Sequence, residues 1–130
     1  MEITVSSQQG RVPVTIFHVK GAVTETDGLV QRAEQEIAAG MRFLLVDLSE
    51  VPYMATAGLR ALDTIYELLR SDTPDESPEA LKAGIASGTY KSPHLKLFKP
   101  TKHVVEVLKM TGHDMFLDIY YTVQDAIASF

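Results

Sequence analysis

Residues Phe43–Leu69, FLLVDLSEVPYMATAGLRALDTIYELL, decide the fold. The apolar run Phe43, Leu44, Leu45, Val46 ends on Asp47, and a short loop containing Pro52 follows. The turn Tyr53-Met54-Ala55-Thr56-Ala57-Gly58 then opens a helix with apolar positions Leu59, Leu62, Ile65, Tyr66 and Leu69, spaced as one helical face. Strand, turn and helix therefore follow in order. The turn presents the Thr56 hydroxyl near the positive end of a helix dipole, where the first backbone amides lack partners inside the helix. Two readings fit. Thr56 is a helix N-cap, worth about 1 kcal/mol, or it carries a phosphoryl group that those amides and the dipole favour. Arg60, two residues after Gly58, could neutralise part of such a charge.

The flanking chain repeats the alternation. Glu2–Ser7 reads as a short strand with Ile3 and Val5 on one side, Gln8-Gln9-Gly10 as a turn, and Val12–Val19 as a second strand ended by Gly21. Pro13 belongs near the start of that strand or on an edge, because it donates no amide. Thr24-Glu25-Thr26-Asp27 offers caps to a helix running to about Ala39, with Leu29, Val30, Ala33, Ile37 and Ala38 as its apolar face and Gly40 as its stop. Met41–Leu48, apolar at nearly every position, predicts a central strand covered on both faces. Leu95–Phe98 reads as a fourth strand. Thr101 then starts a helix with Val104, Val105, Val107, Leu108 and Met110 apolar, closed by Gly112. Ile119–Tyr121 is a fifth strand, and Thr122 caps a last helix over Val123–Ser129. The order β-β-α-β-α-β-α-β-α predicts an α/β fold with a mixed, largely parallel sheet of about five strands covered by helices.

Residues 71–94 break the pattern with three prolines, two glycines and a cluster of acids. Ser77-Pro78-Glu79-Ala80 is a good helix start, so a short helix over Pro78–Ala86 fits inside an otherwise polar excursion. The stretch reads either as a solvated insertion or as a partner-binding arm.

Composition narrows the function. The 130 residues carry a net charge of −5, which disfavours a nucleic-acid binder. The absence of cysteine removes disulfides, thiol catalysis and cysteine-ligated metals. No apolar run approaches the roughly 20 residues that span a bilayer, and MEITVSSQQG has no signal-peptide pattern. The expectation is a soluble cytoplasmic domain with no nucleic acid and no membrane among its partners.

The histidines, His18, His94, His103 and His113, fall in a strand, a loop, a helix start and a turn, none spaced to share a metal. His113-Asp114 reads as a solvated turn. Phosphate-cradling glycine loops are missing, as is a G-x-S-x-G elbow. Asp47 ends its strand without the further carboxylates that a magnesium-dependent aspartyl-phosphate site needs. The residues point to no catalysis, no metal and no cofactor.

Asp47–Leu62, DLSEVPYMATAGLRAL, resembles the core motif of STAS domains, the sulphate-transporter and anti-sigma-factor-antagonist family. The order of elements outside residues 71–94 fits as well. The resemblance implies one STAS-like domain over residues 1–130, with the 71–94 excursion inserted. In soluble bacterial members a serine or threonine of this turn is phosphorylated by a partner kinase that is also an anti-sigma factor. The unphosphorylated domain binds that kinase and frees the sigma factor. By position the phosphoacceptor is Thr56, followed by Ala57, Gly58 and Leu59. What is implied is a switch in signal transduction and transcription regulation, not an enzyme, with a serine/threonine kinase or anti-sigma factor as partner. The contact surface would be Tyr53, Met54, Ala55, Thr56, Ala57, Gly58 and Arg60, with Thr24 from the neighbouring Gly21–Thr24 turn. Two family carboxylates are replaced, one by Ala55 just before the acceptor and one by Thr24, although Glu25 and Asp27 lie close to the second. A scaffold subunit using residues 71–94 is an alternative, as is a small-ligand or nucleotide-binding domain. A homodimer is compatible with the sequence.

Overall fold

A computed structural model describes residues 1–72 and 91–130. Among these residues five strands, β1 (Glu2–Gln9), β2 (Pro13–Lys20), β3 (Leu44–Glu50), β4 (Leu95–Phe98) and β5 (Ile119–Tyr120), form one sheet in the spatial order β1-β2-β3-β4-β5. β1 and β2 pair antiparallel as a hairpin, and the other pairings are parallel. The helices among the described residues are α1 (Asp27–Ala38), α2 (Thr56–Asp72), α3 (Lys102–Thr111) and α4 (Val123–Ser129), with a 3₁₀ turn at His113–Met115. The expected α/β class and element order are those observed.

The central position of β3 explains its composition. Leu44, Val46 and Leu48 face a large core closed by α1, α2 and α3, while Leu45 faces a smaller one under α4. On α2, Ala61, Leu62, Ile65 and Leu69 are fully buried. Leucine or isoleucine in such a setting contributes about 1.5–3 kcal/mol each by leaving water.

Several boundaries move for physical reasons. Gln8 and Gln9 extend β1, pairing with Val14 and Pro13; β1 is an exposed edge, where polar side chains cost nothing. Met41 is not in β3, because its amide still donates to Glu36 O at the end of α1. Ala38 is exposed rather than part of the α1 core face, and Met110 is 85% exposed rather than a core position of α3. The helix reading over Pro78–Ala86 lies outside the described residues. Ser71 and Asp72 continue α2. At the other end of that stretch Ser92 and His94 are buried, not solvated. The Ser92 amide donates to Phe116 O (2.8 Å), His94 O accepts from Leu44 N (2.8 Å), and Phe43 stacks on the His94 ring. They are the lead into β4.

Candidate partner-binding surface

The chain leaving β3 runs beside the chain leaving β2. Val23 N donates to Tyr53 O (3.0 Å), Ala55 N donates to Val23 O (2.9 Å), and Val23 forms an isolated parallel bridge with Met54. The Gly21–Thr24 turn and the Tyr53–Gly58 turn are therefore one unit. Val23 and Met54 are buried beneath it. Gly58 lets α2 approach this pair. A Cβ there would lie 2.8 Å from Met54 Cγ, 2.9 Å from Val23 Cγ1 and 3.1 Å from Val23 O. Thr26, expected as a cap of α1, makes no cap bond; its hydroxyl donates instead to Ala57 O at 2.9 Å, which ties the start of α1 to the first turn of α2.

Thr56 is not the N-cap. Ala55 O accepts from Gly58 N (2.9 Å) and Leu59 N (3.3 Å), so Ala55 holds the cap position and Thr56 is the first helical residue. An alanine offers no oxygen to the free amides. The Thr56 side chain points outward and is exposed, and the first turn of α2 has no acidic residue. The result is a positive helix end with a hydroxyl on its rim and the guanidinium of exposed Arg60 one turn on.

The sequence-predicted residues divide. Thr24, Tyr53, Thr56 and Arg60 are exposed, and Ala55 and Ala57 are half-buried. Met54 and Gly58 are buried; Met54 reaches only the floor of the groove described below, and Gly58 serves packing.

Residues of α3 that the sequence reading left out of the site complete the surface. Tyr53, 46% exposed, stacks on His103 with ring centroids 5.2 Å apart and planes 30° apart. A shallow groove of about 240 Å³ runs between them, lined by Thr56 and Leu59 on the α2 side and by Val107 and Met110 on the α3 side. His103, Val107 and Met110 stand at i, i+4 and i+7, a stripe offset from the buried pair Val104 and Leu108. That second stripe is the signal that marks an outward apolar face. Thr101, at the cap position of α3, fixes the bank by donating its hydroxyl to Val51 O (2.8 Å) in the loop before the turn.

The far end of α3 is held too. His113, expected in a solvated turn, is buried: its Nε2 lies 2.8 Å from Asp63 Oδ1 on α2 and its Nδ1 lies 2.7 Å from Thr111 Oγ1. A long-range contact with α2, invisible to local composition, removes the ring from water.

The profile of the STAS domain matches residues 5–73, more than half of the chain. Among solved structures, an anti-sigma factor antagonist from Mycobacterium paratuberculosis superposes with a TM-score of 0.66 at 20% identity, covering 98% of this chain and 93% of its own. A protein described as a candidate anti-sigma factor antagonist from Thermotoga maritima gives a TM-score of 0.61 at 19% identity, covering 87% of this chain and 83% of that one. No curated protein sequence matches this chain. No helix among the described residues is long and apolar enough to cross a membrane.

Proposed function

The chain belongs to the STAS domain family, and on that premise we propose that it is a regulatory protein-binding module that captures an anti-sigma factor. The contact runs through Thr24, Tyr53, Thr56 and Arg60, with His103 and Met110 across the groove. One observation carries this reading: the Thr56 hydroxyl stands exposed on an N-terminus of α2 that no acidic side chain occupies, inside a turn braced by Val23 and Thr26. The solved antagonists of similar fold support the class of partner. The site of action is the cytoplasm, where such partners work.

Phosphorylation of Thr56 by a serine/threonine kinase, the anti-sigma factor itself, is the second half of the proposal. A phosphoryl group there adds about −1.5 to −2 charges at a helix N-terminus able to hold them, and reverses the charge that a docking partner meets. The groove is smaller than the roughly 300–1,000 Å³ of ordinary small-molecule sites, which favours a protein partner over a nucleotide.

The test is calorimetric titration with the kinase-type anti-sigma factors of the same organism, followed by incubation with each factor and ATP and measurement of intact mass. Binding by the unmodified chain, weakened at least tenfold by Thr56→Glu, is expected, together with a mass gain of one phosphate lost in Thr56→Ala. Binding without any added phosphate removes the switch and leaves the module. No binding overturns the reading.

A further inference from the structure

Ser6, His18 and Asp47 come from three adjacent strands and meet on the sheet face that carries α4, the face opposite α1, α2 and α3. Ser6 Oγ lies 2.9 Å from His18 Nε2, and His18 Nδ1 lies 3.0 Å from Asp47 Oδ2. The second Asp47 oxygen accepts from Ser49 N at 2.9 Å. An ionised carboxylate only accepts, so Nδ1 carries the ring proton of the neutral imidazole and Nε2 is left to accept from the serine hydroxyl. Hydroxyl, imidazole and buttressing carboxylate are joined in the order that makes a serine nucleophilic. The site is open, since Ser6 is exposed and the His18 side chain keeps 43% of its accessibility.

We infer that Ser6 is an activated nucleophile that accepts an acyl group from small activated esters, with His18 as its base and Asp47 as the residue that positions the ring. Ser6 Oγ attacks the ester carbonyl carbon, and its proton passes to His18 Nε2. The bond between the carbonyl carbon and the leaving oxygen breaks, and that oxygen takes the proton from His18. The products are acyl-Ser6 and an alcohol. Water attacks the acyl group by the same route, giving its proton to His18, which returns it to Ser6 Oγ as the carboxylic acid leaves. General-base assistance of this kind is worth about 10²–10⁴-fold, and the exposure of the site places the effect at the low end. This chemistry is independent of the Thr56 surface.

Thr4 stands opposite His18 on β1, and Lys20 follows two residues along β2, with Glu2 and Glu50 in register with it. These are the other polar and charged groups placed by register around the ring.

The test treats the full chain with p-nitrophenyl acetate, follows p-nitrophenolate release and maps the acetylated residue by peptide mass. Acetyl on Ser6 is expected, formed at least tenfold faster than in His18→Gln, with a rate that rises as the imidazole loses its added proton. Asp47→Asn flattens that pH profile and slows acylation about tenfold. The chain lacks cysteine, so Ser6→Cys and Ser7→Cys each carry a single thiol and test the same activation without acyl chemistry. The first should react with iodoacetamide near pH 6.5 at least tenfold faster than the second. Acetyl confined to lysines or the N-terminus, or equal thiol rates at positions 6 and 7, overturns the inference.

Discussion

Thr56 and Gly58 sit two residues apart in the same turn and do opposite work. Gly58 is fixed by contact: a side chain there meets Met54, Val23 and the Val23 carbonyl at 2.8 to 3.1 Å. Alanine would gain about 1 kcal/mol of helix propensity. The backbone oxygen cannot step aside, and overpacking of this kind costs about 1–3 kcal/mol. Gly58→Ala should therefore be neutral to destabilising, and Gly58→Val destabilising by about 2–3 kcal/mol, read from urea midpoints at constant slope. Thr56 should behave differently. Its hydroxyl caps nothing, so Thr56→Ala should change stability by less than about 0.5 kcal/mol, the range of ordinary surface substitutions. A loss near 1 kcal/mol would show that Thr56 caps α2 after all. The cap reading of Thr56 fails because the cap position is settled by which carbonyl accepts the first helical bond, and Ala55 gives no chemical sign of it.

At the scale of elements, legibility followed burial. Elements with sharp local stop and start signals, such as Leu95–Phe98 before Pro100 and Val123–Ser129 after the Thr122 cap, were read to the residue. Errors gathered where a distant segment decides the outcome. His113 is buried by Asp63, 50 positions away, and Met110 is exposed because α3 turns only Val104 and Leu108 fully inward. α3 is seated at three points, Thr101 on Val51, the Tyr53–His103 stack, and His113 on Asp63. If this seating shapes the partner surface, substitutions on its outer stripe should affect binding and not folding. Met110→Glu should lower affinity for the anti-sigma factor at least tenfold in titration, with a melting temperature within about 2 °C of wild type. An unchanged affinity would place the contact elsewhere. Thr101→Val, by contrast, leaves the Val51 carbonyl without its donor and should cost about 1–2 kcal/mol in urea unfolding.

Across the whole molecule, the sheet divides the core in two, and the smaller half depends on a lysine. In Leu95-Lys96-Leu97-Phe98 the alternation suggests that Lys96 looks outward, yet β4 is interior to the sheet and α4 covers it. The ammonium lies 4.8 Å from the Phe130 ring centroid and 5.7 Å from that of Tyr120, and it donates to Ser129 O (2.8 Å) and Ser129 Oγ (3.1 Å) at the end of α4. A cation at a helix C-terminus complements the dipole. Burial nonetheless pushes the Lys96 ammonium below the ordinary lysine value of 10.5; nearby Asp118 opposes this and Arg11 adds to it. The lysine of the unfolded chain keeps its proton to higher pH than the folded one, so between the two values the unfolded state binds more protons. Stability therefore rises with pH across that alkaline window, because the cost of burying the charge disappears as the folded lysine deprotonates. Below the window the full cost applies and pH has no effect through this group. Lys96→Met keeps the apolar stem, removes the charge and gives up the bonds to Ser129. Urea midpoints of wild type and variant, measured side by side from pH 7 to pH 10, should converge or cross in favour of wild type on the alkaline side. Parallel profiles would mean that Lys96 titrates alike in both states, and that α4 closes over a cation whose charge the core tolerates without penalty.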